Sequence, residues 1–263
     1  MADTAPAVFF GHGSPMNAIE TNRYSAAWSE FGATIAKPRA VLMVSAHWFT
    51  RGTAVTAMSQ PRTIHDFGGF PVELFAVQYP APGDPDLATQ VAALAIALAG
   101  PGEESPVALD RRWGLDHGAW SVLVHVFPDA DVPVVQLSID GTKPPSWHWD
   151  LAERLNGLRD EGIMIVGSGN ITHNFAELDS QATRPAPWAV EFDEQMWQAV
   201  QAGERAPLVG YEALADGLRA APTADHFLPL VYVAAQRRPT DTVRNLVDGM
   251  DLGSFSMRSF SLS

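Results

Sequence analysis

A single α/β domain over residues 1–263, with a mainly parallel central sheet flanked by helices, is the fold class this sequence predicts. Three observations predict it. Short apolar runs rich in β-branched residues occur at 5–10 (APAVFF), 40–46 (AVLMVSA) and 162–169 (GIMIVGSG), each leading into a histidine within a few residues. Runs of that length and composition read as strands buried on both faces of a parallel sheet. Segments of helical period alternate with strand-like runs along the chain, the pattern of helices packed on a parallel sheet. No internal repeat, low-complexity block or charge run divides the sequence, so one domain is the economical reading.

The remaining elements follow in order. Tyr79-Pro80-Ala81-Pro82-Gly83-Asp84-Pro85 opens a helix over Asp86–Ala99, rich in Ala and Leu, that stops at Gly100-Pro101. Pro106–Leu109 is a short strand, Ala119–Phe127 a helix and Val132–Ile139 a strand. Trp147, Leu151, Leu155 and Leu158 recur at helical spacing, predicting a helix over Trp147–Arg159. Helices are also expected at Ala189–Ala202 and Tyr211–Ala220. Thr223 can cap a helix from Ala224 to about Ala235, which places His226 in its first turn. Thr242–Val247 and Ser254–Ser261 have strand character.

Composition excludes several function classes. The chain carries 30 Asp and Glu against 17 scattered Lys and Arg, a formal charge of −13. Nucleic acid and anionic membrane surfaces are poor partners for such a surface, because both need clustered cations. There is no cysteine, hence no thiolate metal site. No stretch approaches the ~20 apolar residues that span a bilayer, and no basic region precedes the first apolar run. A cytoplasmic location is expected.

Histidine is the residue whose placement is most informative. Of eight, His125 lies inside a helical segment and His148 beside two tryptophans; both read as ordinary hydrogen-bonded residues. His12 and His47 directly follow apolar strands, and His173 follows the tight turn Gly167-Ser168-Gly169-Asn170. Ligands of open α/β sheets bind outside the carboxyl ends of the strands, so these imidazoles are placed to converge there on a metal. Gly11 and Gly13 let backbone approach a ligand closely. His226 opens a helix, and His117 lies in the small-residue turn Gly114-Leu115-Asp116-His117-Gly118, where Asp116 can bond backbone or pair with a histidine. His65 opens an aromatic loop, His65–Pro71, able to wall an apolar pocket. Ser14, near His12, lacks an acidic third partner for a serine hydrolase, and neither a nucleophile elbow nor a phosphate loop is present.

Taken together, GHGSPMN (11–17), VSAHWFTRG (44–52), TIHDFGGFP (63–71), QYPAPG (78–83), WGLDHGAW (113–120), VPVVQLSID (132–140), DEGIMIVGSGNITHN (160–174) and DHFLPLVYV (225–233) resemble the class III extradiol ring-cleavage dioxygenases, in particular the 4,5-DOPA subgroup. The resemblance implies one divalent metal, Fe(II) for turnover or Zn(II) as purified, and cleavage of a catechol by O2 to a muconic semialdehyde. Position by position, it implies His12, His47 and His226 as metal ligands. His173 becomes a fourth ligand or the acid/base beside it, and His117 the residue that contacts substrate or oxygen. The broader class keeps a glutamate where His226 stands, and Asp225 is a poor substitute because adjacent helical residues point about 100° apart. A zinc hydrolase using His173 as base, and a non-catalytic metal-binding or interaction module, are the competing readings. The sequence leaves oligomeric state and the natural catechol open.

Overall fold

Strands that are apolar on both faces demand cover on both faces, and the chain supplies it. The computed structural model describes residues 4–100 and 105–263. Through them runs one eight-stranded sheet, made of β1 (Ala7–Gly11), β2 (Ala40–Thr50), β3 (Thr53–Thr56), β4 (Val107–Asp110), β5 (Val134–Asp140), β6 (Ile163–Gly169), β7 (Val243–Val247) and β8 (Ser259–Leu262). Their spatial order is β4-β3-β5-β2-β6-β1-β8-β7. The central four, β5-β2-β6-β1, are mutually parallel. β8 is antiparallel to β1 and to β7.

Alternate residues of β1 point to opposite layers, as strand geometry requires. Val8 and Phe10 pack with Trp28 and Phe31 of α1 (Arg23–Thr34) and with Trp120 and Leu123 of α3 (His117–Val126). Between those helices in the chain lies α2 (Pro85–Leu94), on the other face. There Ala7 and Phe9 join Leu87 of α2, Leu151 of α4 (Pro145–Leu155), Met196 of α5 (Pro187–Ala202) and Val231 of α6 (Leu228–Ala234). No helix of the described residues is long and apolar enough to cross a membrane.

Several boundaries differ from expectation, each for a physical reason. Helix 86–99 is α-helical only to Leu94 and then tightens to a 3-10 turn at Ile96–Leu98; its expected stop at Pro101 lies outside the described residues. The helix expected over 147–159 likewise changes to 3-10 geometry at Asn156. Tyr211–Ala220 is not one helix. A 3-10 turn at Tyr211–Ala213 is separated from Gly217–Ala220 by Asp216 at φ +59. Ser254–Ser261 is two pieces, Phe255–Ser256 in a small hairpin with Met250–Asp251, and β8. Finally α6 begins at Leu228, so His226 stands in the turn before the helix rather than in its first turn, and Thr223 is not its cap.

His148 takes the structural role expected of it. Fully buried, its Nε2 lies 3.1 Å from the Asp140 carbonyl and its Nδ1 2.9 Å from the Tyr232 hydroxyl. One ring nitrogen donates and the other accepts, which fits the neutral ring. Burial, opposed by the Asp140 contacts, lowers its pKa from 6.5 to about 4. Because the folded value is the lower one, the stabilisation is complete above pH 6.5 and is lost as pH falls toward 4. At about 1.4 kcal/mol per unit, this amounts to on the order of 2–4 kcal/mol. Urea midpoints at pH 7 and pH 4.5 should show a smaller acid loss for His148→Gln than for the parent. An equal loss in both would place the acid sensitivity elsewhere.

Candidate active site

The carboxyl ends of β1, β6 and β2 are neighbours, and the site is assembled across them. His12 directly follows β1, and its backbone N–H continues the ladder by donating to the Gly169 carbonyl (3.1 Å). His47 lies inside β2 rather than beyond its end. The β2–β5 register shifts between Val44 and Phe49, an irregularity of the kind that re-aims a side chain at a sheet rim. His226 is brought over from the far layer, its carbonyl accepting from Asn170 N–H (2.9 Å). Gly169 permits this approach, since a Cβ there would lie 2.2 Å from the His226 carbonyl oxygen.

These three imidazoles place one donor atom each within 4.8 Å of one another. The Nε2 atoms of His12 and His47 are 3.1 Å apart. Two nitrogens each about 2.0–2.1 Å from one tetrahedral ion sit roughly 3.3 Å apart, so the spacing suits a shared cation. The outer nitrogens are also committed. Ser168 Oγ donates to the Gly118 carbonyl (2.6 Å) and therefore accepts from His12 Nδ1–H (2.9 Å). His226 Nδ1 donates to Asp225 Oδ2 (2.5 Å), and His47 Nδ1 lies 3.5 Å from Asp66 Oδ2. The His12 and His226 rings are thus oriented from behind through Nδ1. Burial, then the neighbouring His226, holds the His12 pKa well below 6.5; burial, then His117, does so for His47. Neutral imidazole is the ligand form.

Two further histidines face the same cavity. His117 begins α3, its ring centroid 3.7 Å from that of His47. Its Nδ1 lies 3.0 Å from Asp66 Oδ2, and its backbone N–H donates to Asp66 Oδ1 (2.9 Å). Gly118 leaves room for this, because a Cβ would meet Ser45 Oγ at 2.4 Å. His173 stacks flat on His226, with centroids 3.5 Å apart and planes 3° apart. It stands outside the convergent trio, anchored by its N–H to the Ala220 carbonyl (2.7 Å). Burial, reinforced by His226, lowers its pKa to about 3.

Other candidates from the sequence resolve differently. Asp116 does not pair with a histidine. It is buried as the α3 cap, accepting from Ala119 N–H, Ser45 Oγ and Gln136 Nε2. Gly11 and Gly13 both pack closely against Met257; Gly13 and Ser14 line the cavity, and Ser14 also caps the next 3-10 turn. His65 turns back to the Val77 carbonyl (2.9 Å), while Phe67 and Phe70 of its loop line the cavity. His125 binds the Asn17 carbonyl (2.7 Å). Sequence reading misses Asp66, Asp225 and Ser168 as the residues that orient imidazoles, and Phe175, Leu252 and Phe255 as wall. Asp225 is absent from the convergent donor set; residues 225–227 form a turn, and there its carboxylate folds back onto the His226 ring.

Residues 7–241 match the family of the catalytic LigB subunit of aromatic ring-opening dioxygenase. This chain is a member of the LigB family. A protein of Escherichia coli (strain K12) named 4,5-DOPA dioxygenase extradiol is 46% identical, the alignment covering 98% of this chain and 94% of that protein. Its namesake from Beta vulgaris is 37% identical over 95% and 96% of the two chains. A crystal structure titled as an uncharacterized protein of Escherichia coli K12 superposes with a TM-score of 0.85 at 41% identity, covering 98% of this chain and all of the other. This LigB chain is an enzyme, an extradiol ring-cleaving dioxygenase of single-domain α/β fold. LigB dioxygenases depend on a metal, and the histidine cluster is a donor set able to hold one ion. The hydrolase and interaction-module readings gain no support.

Proposed function

We propose that this site opens a catechol ring, as in a DOPA-like 4-substituted catechol, using one divalent ion held by His12, His47 and His226, with residues 1–263 acting as one catalytic domain. The observation supporting this is the convergence of three imidazoles on a cavity of about 340 Å³ that two more histidines also line. That volume lies in the range of small-molecule sites. Three imidazole ligands suit Fe(II) for turnover and accept Zn(II) as purified. When bound, the ion would supply the Lewis acidity that favours catecholate and, as iron, a path for electron density from catecholate to O2.

The chain's own residues do the rest. Phe67, Phe70 and Phe255 offer flat apolar walls to an aromatic ring. An imidazole nitrogen of His173, held neutral, accepts the proton of the second catechol hydroxyl and returns it as the ring opens. His117, oriented by Asp66, hydrogen-bonds substrate or oxygen. Asp66 carries a lowered pKa because its contacts to His117 outweigh the burial that would raise it. It therefore stays anionic and fixes the His117 ring.

Iron-reconstituted protein should consume about one O2 per ring of an ortho-dihydroxy substrate and yield a yellow product, as dioxygenase chemistry requires. The meta and para isomers should be inert, because two adjacent oxygens are needed to chelate one ion. Equal turnover of resorcinol would sink the chelation argument. An intradiol muconate as product would overturn the predicted bond cleavage.

A further inference from the structure

We infer that the chain carries a second ligand site, for a small oxyanion of phosphate or carboxylate chemistry, in a hollow beside the end of β2. The sequence scatters 17 cations along its length, yet three arginines come to line this one hollow of about 610 Å³. Arg51 directly follows β2, Arg62 pairs in a two-residue ladder with Gly114, and Arg112 lies two residues beyond β4. Neither Arg51 nor Arg62 makes an ion pair among the described residues. Arg112 has only Asp110, 3.6 Å away, and its own side chain is 94% exposed, so water screens that pair. Asp140, on the neighbouring β5, is buried and accepts from Thr142 Oγ1 (2.7 Å). Cations therefore outnumber carboxylates around this hollow, on a chain whose net charge is −13.

An independent observation points to a ligand. Thr53 is 3% exposed and its Oγ1 has no hydrogen-bond partner; the Trp113 Nε1 is likewise buried and unpartnered. Both residues line the same hollow. Buried polar atoms are nearly always bonded, and here the fold supplies no partner. Guanidinium and indole N–H groups only donate, and a threonine hydroxyl can donate too. Their complement is a negative group that only accepts, and arginine grips phosphate or carboxylate through parallel N–H donors. Trp48 and Trp113 stack with planes 3° apart and centroids 5.5 Å apart, giving the hollow a flat apolar flank. Three arginines on so acidic a chain suit a small ion better than a polyanion. The hollow shares no lining residue with the histidine cavity. Even so, Trp48 follows His47, and Asp66 and His117 lie four residues beyond Arg62 and Trp113. An anion held here bridges the segments that carry those three site residues.

Isothermal titration calorimetry of the zinc-loaded protein with inorganic phosphate and, separately, with succinate tests the site. Saturable binding of one ion per chain is expected, and whichever binds tighter distinguishes a phosphate from a carboxylate ligand. Arg51→Gln and Arg62→Gln should each weaken binding by about tenfold or more, the scale of a lost charge-assisted hydrogen bond. Thr53→Val should weaken it by about threefold or more while Tm stays equal or rises, because Oγ1 has no internal partner to lose. His12→Gln should bind phosphate as the parent does. Loss of binding in His12→Gln, with binding kept in both arginine variants, puts the anion on the metal and overturns the inference. Unchanged affinity in both arginine variants leaves an adventitious ion only and overturns it as well. Thr53→Val that binds as tightly as the parent does the same. So does the absence of saturable heat with the parent, the result expected if Glu103 or Glu104, outside the described residues, already fills the hollow.

Discussion

His12→Gln should lose metal and ring cleavage together. His12 supplies one of the three convergent donors, and its Nδ1 is locked to Ser168 so that Nε2 faces His47 at 3.1 Å. Two ligands do not hold a dication as three do, and the amide of glutamine is a weaker donor than imidazole. Removal of an orienting partner behind a ligand costs 10–100-fold in affinity, so loss of the ligand itself should exceed about 100-fold. Metal content after dialysis against a weak chelator, measured beside O2 uptake, checks the result. A variant that keeps one ion per chain removes His12 from the ligand set.

His173→Gln separates chemistry from metal retention. The flat stack of His173 on His226 places it beside the trio, anchored through backbone to Ala220 and free of a strand. The variant should keep most of its metal and lose about 10²–10⁴ in kcat, the range for removal of a general acid/base. KM for catechol should move little. Metal loss as complete as that of His12→Gln would make His173 an obligatory ligand and pass the proton-transfer role to His117.

Much of this architecture is legible because the three central strands announce themselves. Apolar on both faces, they read as continuous runs, and each apolar run leads into a histidine. The local signals that fail are those overruled by tertiary contacts. The helix expected from Ala224 starts only at Leu228, because the chain first turns to bring the His226 carbonyl onto Asn170. Residues 211–220 break at Asp216, where Gly217 packs so close to the Tyr211 carbonyl that a Cβ would stand 1.9 Å away. Helix α1 is not among the expected elements. Its start is marked only by Asn22 and Ser25, which cap each other's backbone. Asp66 lies 51 residues from the backbone N–H it holds at His117, and no periodicity in one sequence reports a partnership across that distance.

The pairing of β1 with β8, Phe9 opposite Phe260, bears on biosynthesis. β1 emerges from the ribosome before its neighbours β6 and β8, which lie about 150 and 250 residues downstream, and this makes a topology of high contact order. At 5–20 residues per second, the nascent strand waits roughly ten to fifty seconds with both edges bare. Two apolar edges exposed for that interval invite pairing with other chains. Slower initiation, lower growth temperature or a holdase chaperone should therefore raise the soluble yield of this protein more than any change at its surface.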